Sequence, residues 1–139
     1  EIFYKKNNFI FINDSKATSF ESAKRALKNN RNIIWILGGV HKQKDKFNLD
    51  GIKRNIIKSY IIGKETNFFT KQLNKKIPFI LSKTLNKTVQ KIFVDIKKIK
   101  QPVTILFSPA SASFDQFKNF EERGDEFKRL IKKNANKYF

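Results

Sequence analysis

Three polar segments of the sequence carry side chains suited to holding a small anion. Each follows an apolar run: DSKAT comes after FIFIN, GGVHK after IIWIL, and SPASAS after VTILF. Ligands of open α/β sheets bind beyond the carboxyl ends of the strands, so these segments are the expected rim of a site. Their hydroxyl, amide and ammonium groups favour a carboxylate or a phosphate. The candidate residues are Asp14, Ser15, Lys16, Thr18, Gly38, Gly39, Lys42, Ser108, Ser111 and Ser113.

Each of these residues also has a purely structural interpretation. Thr18 and Glu21 fit the capping box of a helix, and Gly38–Gly39 fit a tight turn. Lys42 stands among other lysines in a polar segment, and His41, the single histidine, has no obvious partner. Two further sets fit packing alone, namely the serines Ser111 and Ser113 and the aromatic residues Phe114, Phe117 and Phe120. The residues alone therefore leave binding and packing both open.

Several common chemistries are excluded by missing motifs. The sequence has no GxxxxGK[ST] phosphate loop, no GxGxxG dinucleotide fingerprint and no GxSxG nucleophile elbow. It has no cysteine, and its histidine and acidic residues show no metal-ligand spacing. The sequence therefore predicts an anion-binding domain whose chemistry must come partly from elsewhere.

The strands that must position these segments follow from the apolar pattern. Residues 2–13 read as two short strands joined by a polar turn, which predicts an N-terminal β-hairpin. Continuous apolar runs are typical of strands buried on both faces, as in parallel sheets. These runs are 32–37, 78–81 and 102–107, and SYIIG at 59–63 adds a further strand.

Helical spacing of apolar residues separates the strands. Long helices are predicted at about 19–29, 84–99 and 120–136, and short ones within 49–56 and 67–74. Strands that alternate with helices indicate an α/β fold with a mostly parallel sheet flanked by helices. No linker or repeat interrupts the pattern, so 1–139 is predicted as a single domain.

The net charge of +18 raises the question of a nucleic-acid partner. Of the 30 basic residues 25 are lysine, whereas recognition of bases and phosphates favours arginine. The lysines are spread over almost every segment, and their abundance beside Asn, Ile and Phe is typical of an AT-rich genome. We therefore expect no nucleic-acid partner, although a basic nucleic-acid-binding module stays as an alternative. No apolar run is long enough to cross a bilayer, so no membrane partner is expected either.

The segment FSPASASFDQFKNFEERG, residues 107–124, differs from the rest of the chain because Lys118 is its only lysine. Together with NDSKAT, and with LGG followed by Lys42, it resembles the Mur ligase family. The likeness is to the C-terminal domain of the members that add D-glutamate to UDP-N-acetylmuramoyl-L-alanine. It spans the chain, although the middle, about 50–100, carries no recognised motif. The absence of methionine even at position 1 agrees with a fragment of a longer, three-domain enzyme.

The resemblance implies a Rossmann-like domain and a role for each candidate residue. The residues that would bind D-glutamate are Thr18, Lys42, Ser113 and Phe120. Asp14 would face the nucleotide, and Lys16 would be catalytic, near the reacting phosphate and carboxylate. The loop around Lys42 departs from the family pattern, with Gln43 in place of a glycine and one residue inserted before Phe47.

The reaction that the resemblance implies is ATP-dependent formation of a carbon–nitrogen bond, a cytoplasmic step of peptidoglycan precursor synthesis. ATP would phosphorylate the carboxylate of UDP-N-acetylmuramoyl-L-alanine, and the amine of D-glutamate would attack the acyl phosphate. ATP and Mg²⁺ would be bound mainly by the central domain of the enzyme, over which this domain would close. The isolated domain would be inactive, and the enzyme a monomer. Other possibilities are a related ligase that adds a different amino acid, or glutamate to folate, and a glutamate-binding protein that works alone.

Overall fold

A computed structural model describes residues 1–113 and 116–139 of the chain. Within these residues, six strands form one sheet: β1 (Ile2–Lys6), β2 (Phe9–Asn13), β3 (Ile33–Leu37), β4 (Ile56–Ile62), β5 (Phe79–Lys83) and β6 (Val103–Phe107). The helices are α1 (Phe20–Asn29), α2 (Asn67–Leu73), α3 (Leu85–Ile96) and α4 (Phe120–Tyr138), with a short 3₁₀ helix at Lys53–Asn55. The predicted α/β fold with an N-terminal hairpin is confirmed.

The order of the strands brings the three candidate segments together. Across the sheet it is β1-β2-β6-β3-β4-β5, with β1 antiparallel to β2 and every other neighbouring pair parallel. The last strand, β6, lies between β2 and β3, and Phe107 at its end is level with Asn13 and with Ile36. Because parallel strands share one direction, the carboxyl ends of β2, β6 and β3 are adjacent at one edge of the sheet.

Helices cover both faces of the sheet and so bury its central strands. α1 and α2 pack on one face, where Leu27 and Leu73 join a cluster around Trp35. α3 and α4 pack on the other face, where Ile92 and Leu130 join a second cluster. β3 and β6 are buried at every position, as their continuous apolar runs predict. None of the helices in the described residues has the length and apolar character needed to cross a membrane.

Three predicted elements differ from the observed ones. The short helix predicted within 49–56 is only the 3₁₀ helix Lys53–Asn55, because Ile56 already begins β4. The run 78–81 was predicted as a strand buried on both faces, but β5 is the edge strand and Leu81 is 49% exposed. The helix predicted over 84–99 ends at Ile96, where its amphipathic pattern meets the lysines Lys97 and Lys98. These errors concern the position, the kind or the limits of an element rather than the presence of regular structure.

Candidate functional site

The loops that follow β3 and β6 are joined by their backbones. The amide of Gly38 donates a hydrogen bond of 3.0 Å to the carbonyl oxygen of Pro109. Further along, Val40 and Ala112 exchange backbone hydrogen bonds of 2.9 and 2.8 Å in an antiparallel bridge. Gly39 has φ +135°, and a Cβ there would lie 2.2 Å from the Ala112 carbonyl oxygen. The close approach of the two loops therefore requires glycine at this position.

Arg123 of α4 connects the loops that follow β2 and β6. Its guanidinium donates to the carbonyl oxygen of Ser15 from Nε at 3.1 Å and from Nη2 at 2.8 Å. Nη2 also donates to the carbonyl oxygen of Ser111 at 2.6 Å. The side chain is 1% exposed. Because burial of a charged group is costly unless it is hydrogen-bonded, these carbonyl oxygens stabilise the buried cation. The loops carrying Lys16 and Ser113 are thereby fixed relative to each other.

Sequence reasoning missed the role of Arg123. The available signal was an arginine in a lysine-poor segment, followed by Gly124 inside a predicted helix. A Cβ on Gly124 would lie 2.4 Å from the Oγ of Ser15 and 2.9 Å from the Nδ2 of Asn13. This glycine therefore lets α4 approach the end of β2. The unusual composition of 107–124 is explained in part by packing.

Asp14 stands at the end of β2, half-buried between two strand ends. The hydroxyl of Ser108 donates to its Oδ2 at 2.7 Å. Burial raises the pKa of Asp14 above its ordinary value, while the Ser108 hydrogen bond and the charges of the chain terminus and Lys16 act in the opposite direction. The carboxylate is thus oriented by a buried serine, with a lysine close enough to influence its charge.

Thr18 does not cap α1. The N-cap is Ser19, whose Oγ accepts a hydrogen bond of 3.2 Å from the Ser22 amide. The capping-box interpretation of Thr18 is therefore wrong, because the helix begins one residue later than that pairing requires. Thr18 is exposed, and its hydroxyl has no hydrogen-bond partner among the described residues. Lys16, in the same loop, is also exposed.

The loop that carries Lys42 is fastened on its far side to the start of α1. The amide of Asp45 donates to the Lys42 carbonyl oxygen at 3.0 Å, in a turn where Lys44 has φ +62°. The Asp45 carboxylate accepts a hydrogen bond of 2.9 Å from the Phe20 amide. Phe47 is 3% exposed and its ring stacks on that of Phe20 at 4.6 Å. The Lys42 side chain itself stays exposed to solvent.

His41 has an aromatic partner that the sequence did not reveal. Its ring lies parallel to that of Phe68, with 3.9 Å between ring centres and 4° between planes. It also meets the edge of Phe69 at 6.4 Å. His41 thus lies in a loop, and its aromatic partners come from α2, which the sequence alone did not indicate.

The loop after β6 presents two further candidates. Ser113 is buried, and its carbonyl oxygen accepts a hydrogen bond of 2.9 Å from the Phe117 amide. Phe120 is the first residue of α4, behind the N-cap Asn119, and is 40% exposed. The core interpretation therefore fails for Phe120 and holds for the half-buried Phe117, which packs on the α3–α4 side. Phe114 lies outside the described residues.

The structure brings the candidate residues to one edge of the sheet without a metal cluster. Within 1–113 and 116–139 there is no group of three or more His, Cys, Asp or Glu side chains that could hold a metal ion.

Lysines lie on both helix layers, with Lys28 on α1 and Lys71 on α2, and Lys91 on α3 and Lys132 on α4. The lysines of the described residues are therefore not confined to one face of the sheet.

No protein-family model matches the chain. Among curated proteins, a UDP-N-acetylmuramoylalanine–D-glutamate ligase of Wolbachia sp. subsp. Brugia malayi (strain TRS) is 40% identical over 133 residues, or 96% of the chain. The ligase of the same name from Rhizobium meliloti (strain 1021) is 42% identical over 124 residues. That of Bartonella henselae (strain ATCC 49882 / DSM 28221 / CCUG 30454 / Houston 1) is 43% identical over 124 residues. Each of these two matches covers 88% of the chain.

The chain spans 27% of the length of each of these three relatives. The identity of about 40% over almost the whole chain agrees with the resemblance that the segments after β2, β3 and β6 indicate. The chain is therefore similar to a segment that makes up about a quarter of the length of UDP-N-acetylmuramoylalanine–D-glutamate ligases.

Proposed function

We propose that this chain is the C-terminal domain of a longer cytoplasmic ligase that adds D-glutamate to UDP-N-acetylmuramoyl-L-alanine in peptidoglycan precursor synthesis. The names of the three relatives support the product and the amino acid. The observation that carries the proposal is the joining of three loops at one edge of the sheet, each of which carries a side-chain donor. A dicarboxylate needs such donors at both of its ends.

D-glutamate would be held by donors from all three loops. Thr18 contributes a hydroxyl that is not used to cap α1, because Ser19 is the N-cap. Lys42 contributes an exposed ammonium group. Ser113 and Phe120 would complete the pocket on the side of α4. A carboxylate between an ammonium group and hydroxyl donors forms charge-assisted hydrogen bonds, which are stronger than neutral ones. The amine of the bound amino acid must be unprotonated for attack.

The reacting atoms would lie beside the first loop. ATP transfers its γ-phosphoryl group to the substrate carboxylate, and the D-glutamate amine then attacks the carbonyl carbon, loses a proton and displaces phosphate. Lys16 would stabilise the negative charge that develops on the phosphate and carboxylate oxygens. Asp14, oriented by Ser108, would accept a hydrogen bond from the nucleotide ribose.

The nucleotide and its metal ion would be held mainly by other parts of the ligase. The described residues of this chain provide no cluster of metal ligands, and the sequence has no phosphate loop. Mg²⁺, when bound elsewhere in the ligase, would offset the charge of the transferred phosphoryl group. We therefore expect the isolated chain to release no phosphate from ATP.

The test is phosphate release by the complete ligase with UDP-N-acetylmuramoyl-L-alanine and ATP. We expect turnover with D-glutamate and none with L-glutamate, L-lysine or meso-diaminopimelate. Lys42→Ala and Ser113→Ala should each raise KM for D-glutamate about tenfold or more, because each removes a donor to a carboxylate. Lys46→Ala, an exposed lysine in the same loop, is the matched control and should leave KM unchanged. Turnover with another amino acid would overturn the proposed substrate.

A further inference from the structure

The stack of His41 on Phe68 joins the Lys42 loop to α2. The two rings are almost parallel, at 4°, with centres 3.9 Å apart. α2 is itself fixed to the core, because Phe69 and Leu73 are both 0% exposed. The histidine ring is therefore held against a part of the molecule that cannot move independently of the sheet.

Lys42 has no anchor of its own. Its side chain is exposed and forms no hydrogen bond or ion pair among the described residues. On its N-terminal side the backbone is fixed by the Val40–Ala112 bridge, and its neighbour His41 is held by the stack. On its C-terminal side Asp45 binds the start of α1. The direction in which the Lys42 side chain leaves the backbone is therefore set by its neighbours.

A second contact ties the same loop to α2. The amide of Phe47 donates to the Oε1 of Gln72 at 3.0 Å. The loop is thus fastened to α2 on both sides of Lys42, at His41 and at Phe47. Of these two contacts, only the stack involves a residue next to Lys42 in the sequence. Loss of the stack should therefore displace Lys42 more than loss of the Phe47 contact would.

We propose that His41 is a positioning residue, which sets the place of the Lys42 ammonium group by stacking on Phe68. The inference rests on the proposed function, in which Lys42 binds a carboxylate of D-glutamate. The role requires a flat ring at position 41 and a flat ring at position 68, and it does not require an imidazole nitrogen. His41 touches neither the substrate nor the reacting atoms in this role.

The experiment measures KM for D-glutamate, KM for ATP and kcat in the complete ligase. His41→Ala removes the stack, His41→Phe keeps a flat ring, and Phe68→Leu removes the stack from the other side while keeping apolar volume. Gln43→Ala, an exposed residue on the other side of Lys42, is the matched control. Thermal unfolding of each variant separates loss of the fold from loss of positioning.

We expect His41→Ala and Phe68→Leu to raise KM for D-glutamate about three- to tenfold, the range that an aromatic pair can supply. KM for ATP and kcat should stay within about twofold of the wild type. His41→Phe and Gln43→Ala should resemble the wild type in all three constants. An unchanged KM in His41→Ala, or a defect in His41→Phe equal to that of His41→Ala, would overturn the inference. A wild-type ligase without D-glutamate-dependent turnover would instead overturn the proposed function, and the positioning role with it.

Discussion

The guanidinium of Arg123 donates two hydrogen bonds to the carbonyl oxygen of Ser15, a residue 108 positions away in the sequence. A further bond, to the carbonyl oxygen of Ser111, lets the arginine link the loops after β2 and β6. The fork of a guanidinium can reach both carbonyl oxygens at once, whereas a lysine ammonium is a point charge on a flexible stem.

Arg123→Lys should therefore destabilise the fold. At least one buried carbonyl oxygen would lose its donor, which should lower the free energy of unfolding by about 2–3 kcal/mol. Urea unfolding of the chain measures this difference. Arg129→Lys on the same helix is the control, since the Arg129 side chain is 59% exposed and, among the described residues, pairs with Glu126, and it should leave the stability close to that of the wild type. Equal effects of the two substitutions would contradict the clamp.

Thr18 and Ser19 are neighbours with different roles, and two substitutions separate them. Ser19→Ala removes the N-cap of α1 and should cost about 1 kcal/mol of stability. Thr18→Ala removes a hydroxyl without a partner and should change stability by less than about 0.5 kcal/mol. In the complete ligase, however, Thr18→Ala should raise KM for D-glutamate. If Thr18→Ala destabilised the fold as much as Ser19→Ala, the capping interpretation of Thr18 would have to be restored.

Gly39 should not tolerate a side chain. A Cβ at this position would meet the Ala112 carbonyl oxygen at 2.2 Å and the Ser111 hydroxyl at 2.7 Å. Gly39→Ala should therefore cost about 2–4 kcal/mol, by combining an unfavourable φ with a clash against backbone.

Gly51→Ala is the matched control for Gly39→Ala. Gly51 also has a positive φ, +80°, but a Cβ there would meet nothing within 4 Å. Its replacement should cost only about 1 kcal/mol, from the backbone conformation alone. Thermal unfolding of both variants compares the two costs. Similar losses would mean that the loops after β3 and β6 can separate at little cost.

The sequence predicted the strands and the edge of the sheet at which the candidate residues lie, because both depend on local patterns. An apolar run such as 102–107 indicates a strand from its own residues alone. The polar residues that follow it then fall at the carboxyl end by necessity. The sequence pattern alone therefore predicts that Asp14, Lys42 and Ser113 lie at the same edge of the sheet.

Contacts between distant segments were not predictable by the same reasoning. The run 78–81 is as apolar as a central strand, and only the order of the sheet places it at an edge. Arg123 appears as one more charge on a helix until α4 is packed against the end of β2. The choice between Thr18 and Ser19 as the N-cap was a different problem, since two adjacent hydroxyl residues fit the same signal.

The last prediction concerns the α3–α4 side, where buried Tyr60 donates a hydrogen bond to Asp95. Lys58 also bonds this carboxylate, at 3.2 Å. Burial, the hydrogen bond to Asp95 and its negative charge raise the pKa of Tyr60 well above its ordinary 10.0. Burial acts to raise the pKa of Asp95, but the bonds from Tyr60 and Lys58 outweigh it and hold that pKa below its ordinary 3.8.

These two shifts predict how the stabilising effect of Tyr60 depends on pH. A carboxyl group with a lowered pKa contributes stability above pH 3.8 that is lost as the pH falls through its folded-state value. A phenol with a raised pKa contributes stability below pH 10.0 that is lost at higher pH, where only the unfolded chain ionises. The difference in unfolding free energy between wild type and Tyr60→Phe should thus be constant between these limits and fall outside them. In an Asp95→Asn background the acid-side fall should disappear, and its persistence there would assign it to another carboxyl group.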